Sequence, residues 1–563
     1  MNMPDPQAVA AAWMAQMTDP TAWQAWLTPP QSSVSPVAGI PAAALEPLRD
    51  DYLKKATALW QDAMRGTLPA LQDKRFADKA WQDNPLASFS AASYLLNAQF
   101  FASMVDAVDA PAREKQKIRF AVQQMVDAMS PANFLATNPE AQQQLIDSKG
   151  DSLARGMANM LKDLQKGRIS QSDESAFRVG ENVATTPGTV VFENALFQLI
   201  QYTPATPTVH AVPLLMIPPC INKFYILDLQ PDNSLVRYAV EQGNTVFMVS
   251  WRNPDESLAQ TTWDDYVDQG AIRAIDVASS ISGAEKLNVF GFCVGGTIAA
   301  TALAVLAARG RQPAASLTLL TTLLDYSDTG VLDVFIDETQ VALRESMLAK
   351  GGLMPGRDLA TTFSSLRPND LMWNYVQSNY LKGKEPPPFD LLYWNADSTN
   401  LPGPMFCYYL RNMYLENSLR VPGKLTVADE QVDLGAIDAP VFLYGSKEDH
   451  IVPWDAAFRS ASLLNPGKPD NNTFVLGASG HIAGVINPAA RKKRSHWLRE
   501  GGVESPAEWM AGAVEHPGSW WSTWAAFLAT NGGEEIAAPS SPGNADYAAR
   551  EAAPGSYVKV RAD

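Results

Sequence analysis

Three residues of this chain have the types and the spacing that nucleophilic catalysis requires. Cys293 lies in the stretch NVFGFCVGGTIA, Asp449 in VFLYGSKEDHIVP, and His481 in FVLGASGHIAG. A cysteine attacks a carbonyl carbon when a histidine accepts its proton and a carboxylate orients that histidine. These residue types therefore predict transfer of an acyl group through a covalent thioester.

The cysteine lies in a sharp turn between a predicted strand, LNVFGF, and a predicted helix, TIAATALAVLAARG. A G-x-nucleophile-x-G turn in this context is typical of the nucleophile elbow of the α/β-hydrolase fold. Gly291 and Gly295 would let the strand and the helix approach closely. The backbone N–H of Val294 would face the oxyanion that forms on attack. The alternative is a structural role, because glycine and cysteine also occur together in ordinary close-packed turns.

Asp449 and His481 each follow a predicted strand, PVFLYGS and NTFVLG respectively. In open α/β sheets, ligands bind at the carboxyl ends of the strands. We therefore expect Asp449 to be the acid and His481 the base of a catalytic triad. His450 remains the alternative base, because it directly follows the acid. Ser479 precedes no helix and lacks the glycine spacing, so we expect a turn residue there.

A second oxyanion donor is expected from the loop IPPCINKFY, which follows the apolar run VPLLMI. The α/β-hydrolases take their second donor from a loop at this point of the sheet. We predict that a backbone N–H near Cys220 or Ile221 joins that of Val294.

The remaining cysteines and histidines fall outside this set. Cys220 and Cys407 are expected to be buried small apolar side chains. His210 is predicted to precede the core sheet, and His496 and His516 to lie in helical or loop segments after its last strand. Three cysteines provide neither a disulfide framework nor zinc-ligand spacing. We expect no metal and no bound cofactor.

The pattern of strands and helices around these residues predicts an α/β domain at residues 186–563. Short apolar runs such as TVFMVSW and LNVFGF alternate with helical stretches, which predicts a mostly parallel sheet with helices on both faces. Residues 333–438 interrupt this alternation and are rich in Met, Trp, Tyr and Pro, which predicts a cap insertion. The tail AAPSSPGNADYAAREAAPGSYVKV is expected to be an extended surface segment.

Residues 1–185 predict a helical N-terminal domain. Segments such as SYLLNAQFFASMVDAVD and KQKIRFAVQQMVDAM carry apolar residues three and four positions apart. No set of titratable residues suited to catalysis stands out in this part, so we interpret it as an accessory domain.

The composition restricts the partners. The chain has 44 Lys and Arg against 60 Asp and Glu, a net charge of -16, which argues against nucleic acid as a general partner. An anionic substrate would need a local cluster of basic residues. The first residues lack the features of a signal peptide, and no run of roughly 18 apolar residues predicts a transmembrane segment. We expect a soluble intracellular protein.

Long motifs around these residues resemble the polyhydroxyalkanoate synthases, the bacterial polyester polymerases. The resemblance covers most of the chain from about residue 185 and includes PPCINKFYILDL, VSWRNPD, GFCVGGT, SLRPNDLMWNY, NLPGP, YGSKEDHIVPW and GASGHIAGVINP. The chain length and the phenylalanine before the cysteine resemble class I of the family, which acts alone on short-chain monomers. The helical N-terminal part is similar more loosely.

The resemblance implies polymerisation of (R)-3-hydroxyacyl-CoA, such as 3-hydroxybutyryl-CoA, with release of coenzyme A, which is part of the substrate and not a cofactor. It implies Cys293 as the nucleophile, His481 as the base and Asp449 as the third member of the triad. Either His481 or Asp449 could deprotonate the 3-hydroxyl. The resemblance also implies a cytoplasmic homodimer that associates with the nascent polyester and the surface of polyester granules.

Two further features each allow two interpretations. Aromatic residues of the insertion could line an apolar channel that keeps water from the thioester, or could be ordinary core; these are Trp373, Tyr375, Trp394, Phe406, Tyr408 and Tyr409. The basic run RKKRSHW could bind the phosphates of coenzyme A or be a solvated face.

Two other functions compete with a synthase. A thiol-dependent α/β-hydrolase that cleaves esters would have the same elbow and triad. A granule-surface or scaffold protein with an inactive hydrolase domain would need neither, and the intact set of Cys293, Asp449 and His481 argues against it.

Overall fold

The computed structural model describes residues 40–503 and 505–562. They fall into two compact units. The first contains the described residues up to Gln171 together with Arg367–Pro386, and the second contains Ser172–Leu366 and the described chain from Pro387 onward. The predicted insertion at 333–438 is therefore divided between the two units.

The first unit is built from helices, in agreement with the apolar spacing of its sequence. Its α-helices are Ala42–Arg65, Lys79–Asp83, Pro85–Ala107, Ala112–Ala128, Pro139–Asp147 and Asp151–Lys166, and π-helical turns occur at Asn369–Trp373 and Val376–Leu381. The starts of two of these helices are set by asparagine N-caps, since the side chain of Asn84 accepts the N–H groups of Leu86 and Ala87, and that of Asn138 accepts the N–H of Ala141.

The second unit is organised around an eleven-stranded sheet. In chain order its strands are β1 (Gly188–Glu193), β2 (Phe197–Tyr202), β3 (Leu214–Ile217), β4 (Val246–Trp251), β5 (Leu287–Phe292), β6 (Ala314–Leu320), β7 (Val441–Ser446), β8 (Asn472–Gly477), β9 (Ser495–Leu498), β10 (Val514–Pro517) and β11 (Glu551–Ala552). Their order in the sheet is β10-β9-β8-β7-β6-β5-β3-β4-β2-β1-β11.

The middle of this sheet is parallel, whereas its margins are antiparallel. Strands β8, β7, β6, β5, β3 and β4 pair in parallel, and the outer strands on each side pair antiparallel. The chain runs from β3 outward to β4 and then returns to β5 on the other side of β3, which creates a topological switch point between β3 and β5. In α/β sheets the carboxyl ends of the strands at such a point form the ligand-binding crevice.

Apolar side chains are buried on both faces of the sheet, as a parallel sheet covered by helices requires. Along β5, Leu287 and Val289 belong to one apolar core, while Phe290 and Phe292 belong to the other. The helix Val294–Ala308 packs in the first core, and the helices Leu235–Glu241 and Trp521–Thr530 pack in the second. These observations confirm the predicted α/β-hydrolase class, a mostly parallel sheet with helices on both faces.

The other helices of this unit complete the two outer layers and the inserted segments. They are Trp263–Asp265 continuing through Tyr266–Ile272 into Arg273–Ser282, then Glu338–Leu348, Gly356–Ser365, Asp390–Asn395, Gly403–Tyr409 continuing into Leu410–Leu415, Trp454–Arg459, His481–Val485 and Pro506–Gly512. In the described residues of the two units, no helix is long and apolar enough to cross a membrane.

The structure corrects two expectations about the last part of the chain. His496 and His516 lie on β9 and β10, where they are paired directly opposite each other, and not in helical or loop segments. The tail is not only a surface segment, because β11 pairs with β1 and the side chain of Val558 is buried. His210 lies on a short strand, Thr208–His210, that pairs with Glu535–Ala537 in a separate sheet, and it follows β1 and β2 of the core sheet.

Candidate active site

Cys293 occupies the predicted turn between β5 and the helix Val294–Ala308. Its backbone has φ 52° and ψ -127°, a left-handed conformation that is strained for a residue with a Cβ. The turn is fixed to the neighbouring strand because the N–H of Cys293 donates to the carbonyl of Leu320 at 3.0 Å. The predicted strand–turn–helix context of the elbow is therefore confirmed.

Three glycines around the turn leave no room for side chains. A Cβ on Gly291 would lie 2.3 Å from the Cα of Gly296, and one on Gly295 would lie 2.3 Å from the carbonyl oxygen of Ile217. A Cβ on Gly296 would lie 2.1 Å from Thr322 Oγ1. The close approach of strand and helix that was predicted from Gly291 and Gly295 is confirmed, and Gly296 is a third residue that it requires.

Asp449 and His481 are in direct contact. Oδ2 of Asp449 lies 2.6 Å from Nδ1 of His481, while its Oδ1 accepts the backbone N–H groups of Ile451 and Val452, each at 2.9 Å. The Asp449 side chain has no exposed surface. Its carboxylate is thus held on both oxygens, and the bond to Nδ1 leaves Nε2 as the imidazole nitrogen available to Cys293.

The surroundings of His481 raise the pKa of its imidazole. Burial alone would lower the pKa of His481, but the negative charges of Asp449 and Cys293, with hydrogen bonds to both side chains, raise it to about 10. The ring also stacks on Phe292, the residue before the cysteine, at 5.7 Å between centroids. Both predicted partners of Cys293 therefore lie around the turn at the end of β5.

The other histidine, serine and cysteines weighed for the catalytic roles have different surroundings from Cys293 and His481. The carboxylate of Asp449 contacts Nδ1 of His481, which supports His481 over the adjacent His450 as its partner. Ser479 has φ 82° and its carbonyl accepts the N–H of Glu448, which is consistent with the predicted turn residue. The expectation that no helix follows it was wrong, because the helix His481–Val485 begins two residues later. Cys220 and Cys407 are buried, as predicted, and burial raises the pKa of these thiols to about 12 and about 11 respectively.

The two predicted oxyanion donors belong to segments that touch. Val294 is the first residue of its helix, so its N–H has no partner within the helix. Ile221 lies four residues after Ile217, the last residue of β3. The carbonyl oxygen of Ile217 lies against Gly295, the residue after Val294. The carbonyl of Ile221 accepts the N–H of Thr399 at 2.8 Å, which fixes the orientation of this loop.

The C-terminal residues brace the loop that carries Ile221. Lys223 is buried, and its Nζ donates to the carbonyl of Val560. The indole of Trp394 donates to the carbonyl of Lys223 at 2.7 Å. Burial lowers the pKa of Lys223 to about 8, against the opposing charge of Asp397. We refer to residues 558–561 as the C-terminal strap.

Arg561, the last residue of the strap, lies close to the buried carboxylate of Asp397. Its Nε lies 3.8 Å from Oδ1 of Asp397 and its Nη2 lies 3.4 Å from Oε2 of Glu174. The hydroxyl of Tyr225 donates to the other oxygen of Asp397 at 2.9 Å, and the guanidinium lies over the ring of Tyr393. The strap was not predicted from the sequence, because these residues carry no local motif.

Three tyrosines gather close to Cys293: Tyr326, which follows β6, and Tyr409 and Tyr414 of the insertion. The hydroxyl of Tyr326 lies 3.0 Å from Thr297 Oγ1 and 3.3 Å from the hydroxyl of Tyr409, and the rings of Tyr326 and Tyr414 are 5.0 Å apart. Burial raises the pKa of all three phenols, and the charge of Cys293 adds to the shift. Of the aromatic residues singled out in the sequence, Tyr409 belongs to this cluster.

The other aromatic residues of the insertion have different surroundings. Tyr408 and Tyr409 both stack on Trp263, with centroids 6.0 and 5.4 Å away, and Phe406 packs against the core. Trp394 hydrogen-bonds the loop of Ile221. Trp373 and Tyr375 belong to the first unit. Across residues 40–503 and 505–562, no group of three or more His, Cys, Asp or Glu side chains could hold a metal ion.

Comparison with known proteins identifies the family. Residues 72–239 match the N-terminus of poly-beta-hydroxybutyrate polymerase, and residues 213–488 match the alpha/beta hydrolase fold. A protein of Cupriavidus necator named poly(3-hydroxyalkanoate) polymerase subunit PhaC is 59% identical to this chain, over 97% of this chain and 96% of its own length. The chain belongs to the poly(3-hydroxyalkanoate) polymerases. The family predicted from the sequence motifs is thus confirmed.

More distant members of the polymerase family are similar over most of their length. The poly(3-hydroxyalkanoate) polymerase subunit PhaC of Rhizobium meliloti is 42% identical, over 87% of this chain and 80% of its own length. Poly(3-hydroxyalkanoate) polymerase 1 of Ectopseudomonas oleovorans is 37% identical, over 88% and 87% respectively.

Proposed function

We propose that this protein polymerises (R)-3-hydroxyacyl-CoA into a polyester and releases coenzyme A. The observation that carries this proposal is the 59% identity, over 97% of the chain, to a protein named poly(3-hydroxyalkanoate) polymerase. The strained turn of Cys293 beside the hydrogen-bonded pair of His481 and Asp449 supports a covalent route.

In the first step the acyl group is transferred to the enzyme. Nε2 of His481 takes the proton of the Cys293 thiol, a transfer that the raised pKa of the imidazole favours, and the resulting thiolate attacks the thioester carbonyl carbon. The backbone N–H groups of Val294 and Ile221 donate to the oxyanion of the tetrahedral intermediate. The bond between carbon and the sulfur of coenzyme A then breaks, and the leaving thiolate takes the proton from His481.

In the second step the chain grows by one ester bond. A 3-hydroxyl attacks the carbonyl carbon of the acyl group on Cys293, the new C–O bond replaces the C–S bond, and the hydroxyl proton passes through the base to the released sulfur. We propose His481 as this base. Both oxygens of Asp449 are hydrogen-bonded and its side chain is fully buried, which favours an orienting role for the acid.

A sulfur nucleophile suits transfer to an alcohol. Exchange of one thioester for another has a net free energy near zero, so the acyl group on Cys293 stays activated for attack by a hydroxyl. A serine at this position would form an oxygen ester and lose that activation. Water would compete with the hydroxyl, so an apolar surround is needed, and the aromatic cluster of Tyr326, Tyr409 and Tyr414 supports one.

The proposal extends to the monomer length, the oligomeric state and the location of the enzyme. Phe292 and the chain length support a class I enzyme that uses short-chain monomers such as 3-hydroxybutyryl-CoA. Family membership supports a homodimer that works at the surface of polyester granules in the cytoplasm. Light scattering of the purified protein and its co-sedimentation with granules test these two statements separately from activity.

The central experiment follows release of coenzyme A and formation of polyester from 3-hydroxybutyryl-CoA. We expect Cys293→Ala to abolish both and Cys293→Ser to abolish them nearly completely. Mass spectrometry of the stalled enzyme should find acyl groups on the peptide that contains Cys293. Cys407→Ala is the matched control, because that cysteine is buried in the inserted segment and takes no part in the proposed steps.

Three results would contradict the proposal. Free 3-hydroxybutyrate as the sole product would indicate a thiol-dependent hydrolase. Protein that neither releases coenzyme A nor makes polymer would indicate a scaffold with an inactive domain. Unchanged polymer formation by Cys293→Ala would exclude the cysteine as the nucleophile.

A further inference from the structure

Four consecutive basic residues, 491–494, lie at the same edge of the sheet as the candidate active site. They directly precede β9, which runs antiparallel to β8, and the register pairs His496 at the start of β9 with Gly477 at the end of β8. The N–H of Ala478 donates to the carbonyl of Ser495 at 3.0 Å. The run therefore lies beyond the carboxyl end of β8, the end from which the chain continues to His481.

The basic run is also tied to the short helix that begins at His481. The guanidinium of Arg494 donates to the carbonyl of Ala483, which belongs to the helix His481–Val485. This contact holds the run beside the helix that begins at His481, and the side chains of Arg491, Lys492 and Lys493 are exposed there.

Among the described residues, no carboxylate forms an ion pair with this run. All four side chains are exposed, and within residues 40–503 and 505–562 none of them forms an ion pair. Many other arginines of the same unit do form ion pairs, for example Arg309 with Asp268 and Arg411 with Glu345. In a chain with 60 acidic and 44 basic residues, such a run makes a local positive field that attracts anions.

Lys447 adds a fifth cation at this edge. It directly follows β7, its backbone N–H donates to the carbonyl of Gly477, and its ammonium lies 4.4 Å from the ring centroid of Trp497. Its neighbour in the chain is Glu448, and Trp497 is paired across the strands with Glu515. Two acidic residues therefore lie near Lys447 in the chain and across the strands, whereas residues 491–494 form an uninterrupted basic run.

We propose that residues 491–494 bind the phosphate groups of the coenzyme A part of the substrate. This proposal rests on the proposed function, which makes an acyl-CoA the substrate. Coenzyme A carries its phosphates at the far end of the pantetheine arm from the thioester, so their site must lie at the rim and not beside Cys293. Lysine ammonium groups and arginine guanidinium groups are the side chains that bind phosphate through charge-assisted hydrogen bonds.

The test removes three charges without touching the contact made by Arg494. We expect the triple variant Arg491→Gln, Lys492→Gln and Lys493→Gln to raise KM for 3-hydroxybutyryl-CoA about tenfold, with kcat within about twofold of the unaltered protein. We also expect the dependence of KM on salt concentration to weaken, since fewer exposed charges are screened.

A control with the same change in net charge removes three cations from the opposite edge of the same sheet. Two of them, Arg311 and Lys468, form ion pairs with Asp276 and Asp438. Lys286, Arg311 and Lys468 shortly precede β5, β6 and β8, at the amino ends of these parallel strands, and all three are exposed. The triple variant to glutamine changes the net charge equally, and its KM should match that of the unaltered protein. An equal rise in KM for both triple variants would attribute the effect to net charge and overturn the proposal.

A substrate without phosphates separates this proposal from the proposed function. With 3-hydroxybutyryl-pantetheine, the Arg491, Lys492 and Lys493 variant should have an unchanged KM, and a rise equal to that seen with the CoA substrate would overturn the phosphate site. Calorimetric titration with free coenzyme A needs no turnover. If the triple variant binds coenzyme A about tenfold more weakly than the unaltered protein, the phosphate site is supported even when neither protein is active. If the two Kd values are equal, the site is overturned even when both proteins are active.

Discussion

The imidazole of His481 is held at Nδ1 by Oδ2 of Asp449, 2.6 Å away, and the other oxygen of this carboxylate is fixed by two backbone N–H groups. The acid therefore cannot rotate away from the histidine without breaking two further hydrogen bonds. This geometry makes the orientation and the tautomer of His481 depend on Asp449.

Replacing Asp449 with asparagine should lower kcat by on the order of 10³-fold, because the amide no longer selects the tautomer that leaves Nε2 free to accept a proton. The assay is release of coenzyme A from 3-hydroxybutyryl-CoA. Glu448→Gln is the matched control, since that exposed acid is adjacent in sequence, and it should retain activity. Comparable losses in the two variants would argue against a specific role for Asp449.

The raised pKa of His481 predicts how stability depends on pH. Its pKa is about 10 in the folded protein against an ordinary value of 6.5, so the folded state retains a proton that the unfolded chain releases in this interval. The stabilisation is fully present below pH 6.5 and is lost as the pH rises toward 10.

Urea unfolding of the unaltered protein and of His481→Gln measures this stabilisation. The difference in free energy of unfolding between the two proteins should narrow between about pH 6 and about pH 10. A difference that stays constant or widens over this range would contradict the charge interactions of the folded state.

The three cysteines should differ sharply toward an alkylating reagent. Cys293 is partly exposed, whereas Cys220 and Cys407 are buried and burial raises the pKa of these two thiols. We expect iodoacetamide at about pH 8 to label the folded protein at Cys293 alone, as mapped by peptide mass spectrometry. The variant Cys293→Ala should take up no label until it is unfolded. Labelling of Cys407 in the folded protein would show that the inserted segment opens.

Loss of the strap contact made by Arg561 should slow the reaction with little change in KM. Arg561→Ala leaves Asp397 with a weakened set of partners and loosens the loop of Ile221, so we expect kcat to fall about three- to tenfold. The pair is partly exposed, so the free energy of unfolding should fall by only about 1 kcal/mol. Arg561→Lys should recover most of the rate. A lower unfolding midpoint with unchanged kcat would indicate a purely structural strap.

The central strands and the elbow could be predicted because each carries a local signal. Runs such as Val246–Trp251 and Leu287–Phe292 are continuous apolar segments, as strands buried on both faces require. The strands Ser495–Leu498 and Val514–Pro517 were missed because each has only four residues, and polar or charged side chains interrupt its apolar ones. The two histidines on them were misassigned for the same reason.

Residues that meet only in the folded chain could not be predicted. Lys223 and Val560 are 337 positions apart, and nothing in either neighbourhood indicates the other. By contrast, Asp449 and His481 were predicted as partners because parallel strands bring their carboxyl ends to one edge. The phenylalanine before the cysteine was recognised in the sequence as a class I feature, but its stacking on His481 was not predicted.

The glycine contacts beneath the elbow restrict where monomer range can be altered by protein engineering. Any side chain at Gly295 or Gly296 would collide with a backbone carbonyl of β3 or with Thr322, so a mutant library built on the floor of the site would mostly return misfolded protein. Diversity intended to admit bulkier monomers belongs in the walls, at Tyr409 and Tyr414 on the inserted helix, where a smaller side chain enlarges the space beside Cys293 and leaves the sulfur where it is.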